Sequence, residues 1–513
     1  MSFASLHFAV FLPLVVLGYF HLPERFKWRL LLAASWYFYA SWEPIFLLLL
    51  LYSTVASWVG GFLIAGSASR RSARAWLWAA VGAVLAPLIL FKYFNFINAQ
   101  LAELFAMHRP RVVDVTFILP LGISFFTFQA LSYVIDVYRG DVAAERHFGV
   151  YALYKAFFPQ LVAGPIERAT RLLRTMQRLK AAPGSTEFSF DAARVSSGLR
   201  LMLWGFFKKL VIADNLAVIV DEIYAGPTYY HGILLLLATY AFAYQIYCDF
   251  SGYSDIARGV ARMLGIDLMV NFRRPYAAAD IQEFWRRWHI SLSSWFRDYV
   301  YFPLGGDRVG AWRWILNIAV VFVLSGIWHG ANWTFVAWGA LHGSYYAIGR
   351  LTRPFRRWIP ATLGRIPLVW NAWRVFVTFH LVVFAWIFFR ADSLTSALVI
   401  ADKVLAEWLN FIGRLAHDIV RLPLDGSSWF PVIQDVVRLP IAETYLVWNE
   451  GTRAVIVAIL VMELVDWFGE RTASARWFAQ SPRPIRWTSY AVVAATIAIL
   501  APFGAKQFIY FQF

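Results

Sequence analysis

The chain has 513 residues, of which 60% are hydrophobic and only 15% are charged. Soluble domains carry roughly 25% charged residues, so this composition excludes a string of ordinary soluble domains and predicts one polytopic membrane protein. The net charge of +16 does not indicate nucleic-acid binding, because the basic residues stand in short loops between apolar runs rather than on a soluble basic module.

Apolar runs long enough to cross a bilayer recur from one end of the chain to the other, so we predict an all-α polytopic fold in one membrane domain, residues 1–513. No basic residue precedes the first run, which indicates a retained membrane helix rather than a cleavable signal peptide. The predicted segments are 6–22, 29–42, 45–66, 75–97, 115–137, a short element at 151–166, 197–220, 232–256, 312–329, 331–349, 371–389, 453–468 and 487–504.

The stretch 151–166 is predicted to be a broken, re-entrant element. Its Pro159, Gly164 and Pro165 interrupt a helix, and irregular backbone at membrane depth is tolerated where protein surrounds it. If the element returns to the side from which it starts, every basic loop cluster falls on the cytoplasmic side, as positive-inside topology requires. Both termini then lie outside, and an acidic segment at about 390–452 faces outward, ahead of the final membrane helices.

A polar cluster stands at the end of the apolar run 232–256, where Gln245, Asp249 and Asp255 occur among hydrophobic residues. The two carboxylates could line a polar tunnel or orient a histidine. Alternatively, they could pair with a nearby arginine such as Arg258, or cap the end of the helix. The residue types leave both interpretations open.

Residues 284–299 are predicted to form one amphipathic helix that is too polar to span the membrane. Trp285 and several other aromatic residues fall on one side, whereas Arg286 and Arg287 fall on the other, which is typical of a helix at the membrane interface. His289 lies at the edge of the apolar stripe. From spacing alone it is either a packing histidine or a functional one.

A second histidine, His329, ends an apolar run that begins near Ile315. A titratable ring at membrane depth is costly and is by default a functional candidate. Gly326 and Gly330 form a GxxxG pair that lets a second helix approach closely. The alternative is therefore a helix-packing motif in which His329 is hydrogen-bonded but has no catalytic role. Imidazole is suited to taking a proton from a hydroxyl and returning it to a leaving group near neutral pH.

The chain lacks the sequence signatures of a serine-hydrolase elbow, a Walker loop, a dinucleotide-binding loop and a zinc-protease helix. Two histidines that are 40 residues apart, without a carboxylate at ligand spacing, also argue against a metal site. We therefore predict a histidine base acting between two bound substrates, with no metal and no bound cofactor.

Several motifs resemble the signature of the membrane-bound O-acyltransferase family. The strongest are WRRWHISLSSWFRDYVYFPLGG and LSGIWHGANWTFVAWGALHG, and the stretches LPLGISFFTFQALSYVIDVYRG, FFPQLVAGPIER and YCDFSGYSDIARGVARMLG agree with them. The resemblance covers about residues 30 to 390. Within the family it is strongest to the bacterial membrane subunits that serve alginate and other exopolysaccharide O-acetylation.

The resemblance implies a ring of about 11 to 13 transmembrane or re-entrant helices around a thinned centre with opposed funnels. His329 matches the family's invariant histidine and is expected to be catalytic. His289 matches the family's second histidine and is also expected to be catalytic. Further candidates for lining the tunnel or binding substrate are Gln245, Asp249, Asp255, Trp285 and Asn332.

The resemblance also implies an O-acetyltransferase in a bacterial inner membrane, with acetyl-CoA or another acyl thioester as the cytoplasmic donor substrate. The chain has no hydrolase-like Ser/His/Asp domain of its own. Transfer to a secreted polysaccharide is therefore expected to need a periplasmic partner of the SGNH-hydrolase type, in addition to the surrounding membrane lipid.

Two rival functions remain at this point. The first is D-alanyl transfer to a cell-wall polymer, which would use the same motifs with a different donor. The second belongs to another class, a transporter of a polymeric or lipid-linked substrate. Such transporters usually show paired halves with unwound spans in both, and we detect no such pairing in the sequence.

Overall fold

The computed structural model describes residues 1–104, 118–181, 186–353, 367–420, 450–469, 480–502 and 508–509. Helices are the regular elements of these ranges. Four π-helical stretches, Ile89–Tyr93, Ala169–Leu173, Phe207–Ala213 and Arg297–Tyr301, interrupt or extend them. The α-helices are α1 Leu6–His21, α2 Glu24–Ala40, α3 Ile45–Ala65, α4 Arg70–Leu88, α5 Phe94–Leu104, α6 Ile123–Arg139, α7 Phe148–Ala156, α8 Phe158–Leu161, α9 Arg174–Ala181, α10 Ala192–Phe206, α11 Asp214–Ala225, α12 Gly232–Met263, α13 Ile281–Arg287, α14 Ile290–Phe296, α15 Ala311–His329, α16 Trp333–Leu351, α17 Pro367–Arg390, α18 Leu394–Val420, α19 Glu450–Gly469 and α20 Arg483–Leu500.

The predicted apolar segments coincide with helices, mostly within a few residues at each end. Among the described residues, five helices are both long and apolar enough to cross a membrane: Ile45–Ala65, Arg70–Glu103, Gly232–Met263, Ala311–His329 and Leu368–Arg390. The other predicted segments are helices too, but they are shorter or more polar. Parts of two predicted segments, 115–117 and 503–504, lie outside the described residues, and helix α6 begins only at Ile123.

The stretch 151–166 is a broken element, as predicted. Helix α7 ends at Ala156, the single turn of α8 follows, and residues 162–168 are not helical. Residues 150–167 are buried throughout, so this irregular backbone is surrounded by protein rather than lipid. The Ile166 backbone N–H donates to the hydroxyl of Ser291 at 3.0 Å, which ties the element to α14.

Helices α15 and α16 form a tightly packed hairpin. A Cβ added to Gly326 would collide with the backbone carbonyl of Phe335, and one added to Gly339 would collide with that of Phe322. The close approach predicted from the glycine spacing is therefore present, and α16 is the partner helix. This packing holds His329, the last residue of α15, against the first turns of α16.

The predicted single helix over 284–299 is wrong, because the chain breaks at His289. Helix α13 ends at Arg287, and His289 takes a left-handed backbone conformation, with φ 42° and ψ 54°. Hydrogen bonds from the preceding loop replace the helical ones: the Arg273 N–H donates to the Arg287 carbonyl, and the Ile290 N–H donates to the Asn271 carbonyl. These tertiary bonds override the helical periodicity and turn His289 into the core, where it is 0% exposed.

Basic residues from separate loops meet at one end of the helices. Arg70, which begins α4, lies over the ring of Tyr138 in the last turn of α6. Arg139 lies over Tyr299, and Arg168 forms an ion pair with Asp298. At the opposite end, α15 finishes at His329 and α6 begins. Arg70 and Arg168, which belong to two of the predicted basic clusters, thus lie near each other, whereas the sidedness of the clusters stays a prediction.

The predicted outward-facing segment 390–452 begins with helix α18, which packs on α12 and α17. The Nζ of Lys403 donates to the carbonyls of Pro227, Thr228 and Tyr230, which ties α18 to the turn before α12. Residues 421–449, with the acidic residues Asp425, Asp435 and Glu443, lie outside the described residues.

Candidate active site

The break at His289 is organised by Asn271, a buried residue of the loop between α12 and α13. The Oδ1 of Asn271 accepts hydrogen bonds from the Ser291 N–H at 3.2 Å and the Ser291 hydroxyl at 2.9 Å. The Nδ1 of His289 lies 3.2 Å from the same oxygen. The Asn271 backbone carbonyl holds Ile290 as well. One amide side chain therefore holds both the ring and the backbone of the break.

This arrangement selects one tautomer of His289. The backbone N–H of Ser291 must donate, so the atom of Asn271 facing it is the amide oxygen, which can only accept. The Nδ1 of His289 faces the same oxygen and must carry the proton. Nε2 is then the acceptor atom of a neutral ring, which is the form that a general base requires.

Aromatic rings enclose the imidazole of His289. Its ring centre lies 4.6 Å from that of Phe250 in an edge-to-face contact, and 6.1 Å from that of Trp328. Phe125 and Phe272 stack on either side, at 6.3 and 6.4 Å. The position of the ring is thus set by packing as well as by its bond to Asn271.

His329 sits at the end of α15 in a second aromatic enclosure, and it is 4% exposed. The rings of Trp328, Trp338 and Phe389 meet it edge-on at 4.9 to 5.1 Å. The Nζ of Lys92 donates to the carbonyls of Trp328 at 2.9 Å and His329 at 2.8 Å. Because the last carbonyls of a helix lack partners within it, this cation satisfies and stabilises the end that carries the histidine.

Two cavities adjoin His329. The smaller, about 40 Å³, is lined by His329, Trp328 and Lys92 together with residues 119–125 at the start of α6. The larger, about 590 Å³, shares Lys92 and Leu119 with the first. Its other polar lining residues are Asp221, Asn332, Arg390 and Asp392. A substrate could therefore approach His329 from this end of the helices.

A third cavity, of about 180 Å³, adjoins Asn271. Asn271 and Phe272 line it, and Lys208, Arg273 and Arg274 add positive charge. His289 contacts both Asn271 and Phe272 from the other side. The ring of Trp328, which also contacts His329, separates the two histidines. Each histidine thus has a cavity nearby, and the cavities near the two histidines have different lining residues.

The residues predicted to line a tunnel separate into two groups. Asn332 lines the 590 Å³ cavity; its side chain caps α16 by accepting from the Thr334 N–H and donates to the Asp392 carbonyl at 2.9 Å. Asp255 lines the 180 Å³ cavity and pairs with Lys208 at 2.8 Å and Arg258 at 3.1 Å. The pairing with Arg258 considered from the sequence is therefore present alongside a cavity position.

The remaining candidates are packed within the core. Asp249 pairs not with a nearby arginine but with Lys209, at 2.6 Å. Trp285 packs on Trp338 rather than lining one of the cavities described above. Gln245 is buried in α12, and no hydrogen-bond partner for its Oε1 occurs within the described ranges. The structure thus brings the two histidines together but not all of their predicted companions.

Sequence reasoning missed three residues at the site: Asn271, Lys92 and His342. Lys92 and His342 carry the signal that singled out His329, a titratable residue in an apolar run. His342 is fully buried in α16, between the rings of Trp285 and Trp338, each 5.0 Å away. Asn271 carries no such signal, because it stands in an ordinary loop and its role depends on the tertiary fold.

Comparisons with known proteins find several similar chains. A model of the membrane-bound O-acyltransferase family matches residues 147–389. The chain is 42% identical to the "Probable alginate O-acetylase AlgI" of Pseudomonas aeruginosa over 398 residues, which is 76% of this chain and 71% of the relative. It is 32% identical to the peptidoglycan O-acetyltransferase of Helicobacter pylori over 534 residues, 98% and 95% of the two chains. It is 28% identical to the teichoic acid D-alanyltransferase of Streptococcus thermophilus over 291 residues, 52% and 68% of the two chains.

Proposed function

Because the chain belongs to the membrane-bound O-acyltransferase family and is an O-acyltransferase, we propose that it serves the O-acetylation of a secreted polysaccharide such as alginate. The acetyl group comes from a cytoplasmic thioester, acetyl-CoA, and crosses the bacterial inner membrane through the protein. Both termini lie on the periplasmic side, and a ring of helices surrounds a thinned centre where the reaction takes place.

The observation that carries this proposal is that His289 and His329, whose rings both contact Trp328, have separate cavities nearby. The 180 Å³ cavity near His289 is lined by Lys208, Arg273 and Arg274 as well as by Asp255 and Asp466, and its cations suit the phosphates of a nucleotide-bearing donor. The 590 Å³ cavity adjoins the small cavity of His329 at the other end of the helices. Passing an acyl group between two compartments requires such a pair of approaches to one buried centre.

In the proposed step, His329 takes the proton of the acceptor hydroxyl. The hydroxyl oxygen attacks the carbonyl carbon of the thioester, the carbon–sulfur bond breaks, and the proton passes to the thiolate. No water or redox partner is needed. His289, with Nδ1 held towards Asn271, orients the thioester beside the aromatic wall. Gln245, Asp249, Asp255, Trp285 and Asn332 support the passage or its walls.

The acceptor on the outer side is the polysaccharide or a side chain of a periplasmic partner of the SGNH-hydrolase type. Three features support this arrangement: the acidic segment 390–452, the polar lining of the 590 Å³ cavity and the similarity to an alginate O-acetylase. The partner docks at that face and completes the transfer to the polymer.

The test is transfer of radiolabelled acetyl from acetyl-CoA to polymer by inverted membrane vesicles that contain the chain and its partner. We expect His329→Ala to abolish transfer while the protein level stays normal. His380→Ala is the matched control, because His380 also lies in a membrane helix but hydrogen-bonds Tyr240 away from the site. Undiminished transfer by His329→Ala would overturn the catalytic assignment.

D-alanyl transfer is the alternative, and the similarity to a teichoic acid D-alanyltransferase is what favours it. The same vesicles supplied with a D-alanyl carrier-protein thioester distinguish the two donors. Family membership favours an enzyme over a transporter. Transport would be excluded if the labelled acyl group moved from the donor to the acceptor without release of intact donor.

A further inference from the structure

Residues 508 and 509 are inserted into the core beside the candidate active site. Phe508 is 4% exposed and Ile509 is 3% exposed, although they stand some distance in sequence from every residue they contact. Phe508 packs against Tyr253 and Phe250 of helix α12, with ring centres 5.0 and 5.7 Å apart. Phe250 is also the residue whose ring meets His289.

Asp249 anchors this segment. Its Oδ2 accepts a hydrogen bond from the backbone N–H of Ile509 at 2.7 Å. Its Oδ1 lies 2.6 Å from the Nζ of Lys209, and the same Nζ lies 2.7 Å from Asp214. A buried ion pair of this kind is a weak source of stability, because desolvation offsets most of the attraction. Charged groups at membrane depth usually serve a function instead.

A continuous set of contacts leads from this anchor to the imidazole of His289. Asp249 holds Ile509, and the neighbouring Phe508 packs on Phe250. The ring of Phe250 then meets His289 edge-on at 4.6 Å, which is the shortest ring contact described for that histidine. Asn271 holds His289 by a hydrogen bond at Nδ1. The segment thus supports a second contact of the same ring, the one made by Phe250.

We propose that residues 508–509, anchored by Asp249, are a positioning element for His289. Phe508 limits the movement of Phe250 and so keeps the imidazole in the orientation that its bond to Asn271 selects. This inference rests on the proposed function, because it assumes that His289 acts in acyl transfer. It also gives Asp249 a role: the carboxylate orients a histidine through an aromatic neighbour.

The first experiment compares Phe508→Ala with Phe11→Ala in the acetyl-transfer assay. Phe11 is a matched control, since it is also buried among aromatic rings but belongs to a cluster with Tyr37, Phe38 and Phe158. We expect Phe508→Ala to lower kcat about tenfold with KM nearly unchanged, because small displacements of a catalytic group are costly. Phe508→Leu restores most of kcat, and Phe11→Ala lowers the melting temperature without this fall in kcat.

The second experiment changes Asp249, the residue that anchors residues 508–509. Asp249→Asn keeps an oxygen that can accept from Ile509, whereas Asp249→Leu does not. We expect Asp249→Leu to lower kcat more than Asp249→Asn. Asp214→Asn removes the other carboxylate of Lys209 without touching Ile509, so it costs stability but less kcat than Asp249→Leu. Equal effects of all three on kcat, or a Phe508→Ala enzyme that loses only stability, would overturn the positioning role.

A third measurement does not depend on activity. Cys248 is the chain's only cysteine and is buried, so it is first replaced by Ala. We expect Phe508→Cys and Tyr253→Cys to be joined by a short bifunctional thiol reagent, and Phe508→Cys and Phe11→Cys not to be. Failure of the first pair to cross-link would overturn the docking. If the first pair cross-links but wild-type protein transfers no acyl group from any thioester, the proposed function is overturned instead.

Discussion

His289 and His329 are both buried imidazoles, yet the fold holds them in different ways. His289 stands in a helix break with left-handed backbone, and a polar side chain, Asn271, fixes its ring. His329 ends a regular helix, and Lys92 binds its backbone carbonyl at 2.8 Å. Aromatic edges surround the His329 ring.

The difference indicates a division of work. A ring held by a hydrogen bond at Nδ1 has a defined tautomer and orientation, as a group that receives and orients one substrate needs. A ring that aromatic edges enclose beside a cavity lies where a substrate can reach it. The comparison therefore predicts that changes around His289 act through orientation, whereas changes around His329 act through the helix end and the cavity.

The largest effect after loss of His329 is expected for His289→Ala. If His289 orients the donor, its removal should lower kcat/KM about a hundredfold, within the range found for positioned acid–base groups. Transfer assays at several acetyl-CoA concentrations measure it. His380→Ala is again the control, and activity equal to wild type would reduce His289 to a packing residue.

Asn271→Leu should have the next largest effect and lower kcat about tenfold, because it removes the acceptor that selects the His289 tautomer. A hydrogen bond of this kind contributes about 1 kcal/mol. Asn271→Asp keeps an acceptor oxygen and should retain more activity. Asn317→Leu is the control: this buried amide donates to the Leu304 carbonyl and lies in α15 away from His289. Equal losses of kcat in Asn271→Leu and Asn317→Leu would contradict the positioning role of Asn271.

Lys92→Met should lower kcat a few-fold, because the last carbonyls of α15 lose their cation and the helix end that carries His329 loosens, at a cost of about 1 kcal/mol. Lys403→Met is the matched control. Lys403 likewise donates to backbone carbonyls, three of them, but these lie at the turn before α12. The melting temperature should fall in both variants, whereas kcat should fall only in Lys92→Met. A kcat loss shared by both would point to stability alone.

The smallest change in activity is expected for His342→Phe. Neither ring nitrogen of His342 has a hydrogen-bond partner among the residues that the structure describes, although the ring is fully buried. An unsatisfied buried polar group costs about 1–3 kcal/mol, so Phe should raise the melting temperature and leave kcat within about twofold. A tenfold loss of kcat would instead add His342 to the functional histidines.

Much of the fold follows from local sequence pattern. The apolar segments, the broken element at 151–166 and the close α15–α16 packing were predictable, because hydrophobic length and glycine spacing are properties of neighbouring residues. His329 was predictable for the same reason: a polar ring inside an apolar run is conspicuous at any membrane depth. The family motifs then supplied the reaction class, which local pattern alone left open.

The surroundings of His289 were decided by tertiary structure. The sequence by itself predicts an unbroken amphipathic helix there, and only hydrogen bonds from residues 271 and 273 turn the ring into the core. The contact of Lys92 with the His329 carbonyl spans 237 residues of sequence, and that of Ile509 with Asp249 spans 260. Such pairs leave no local periodicity, because the free energy that favours them arises only when distant segments exclude water together.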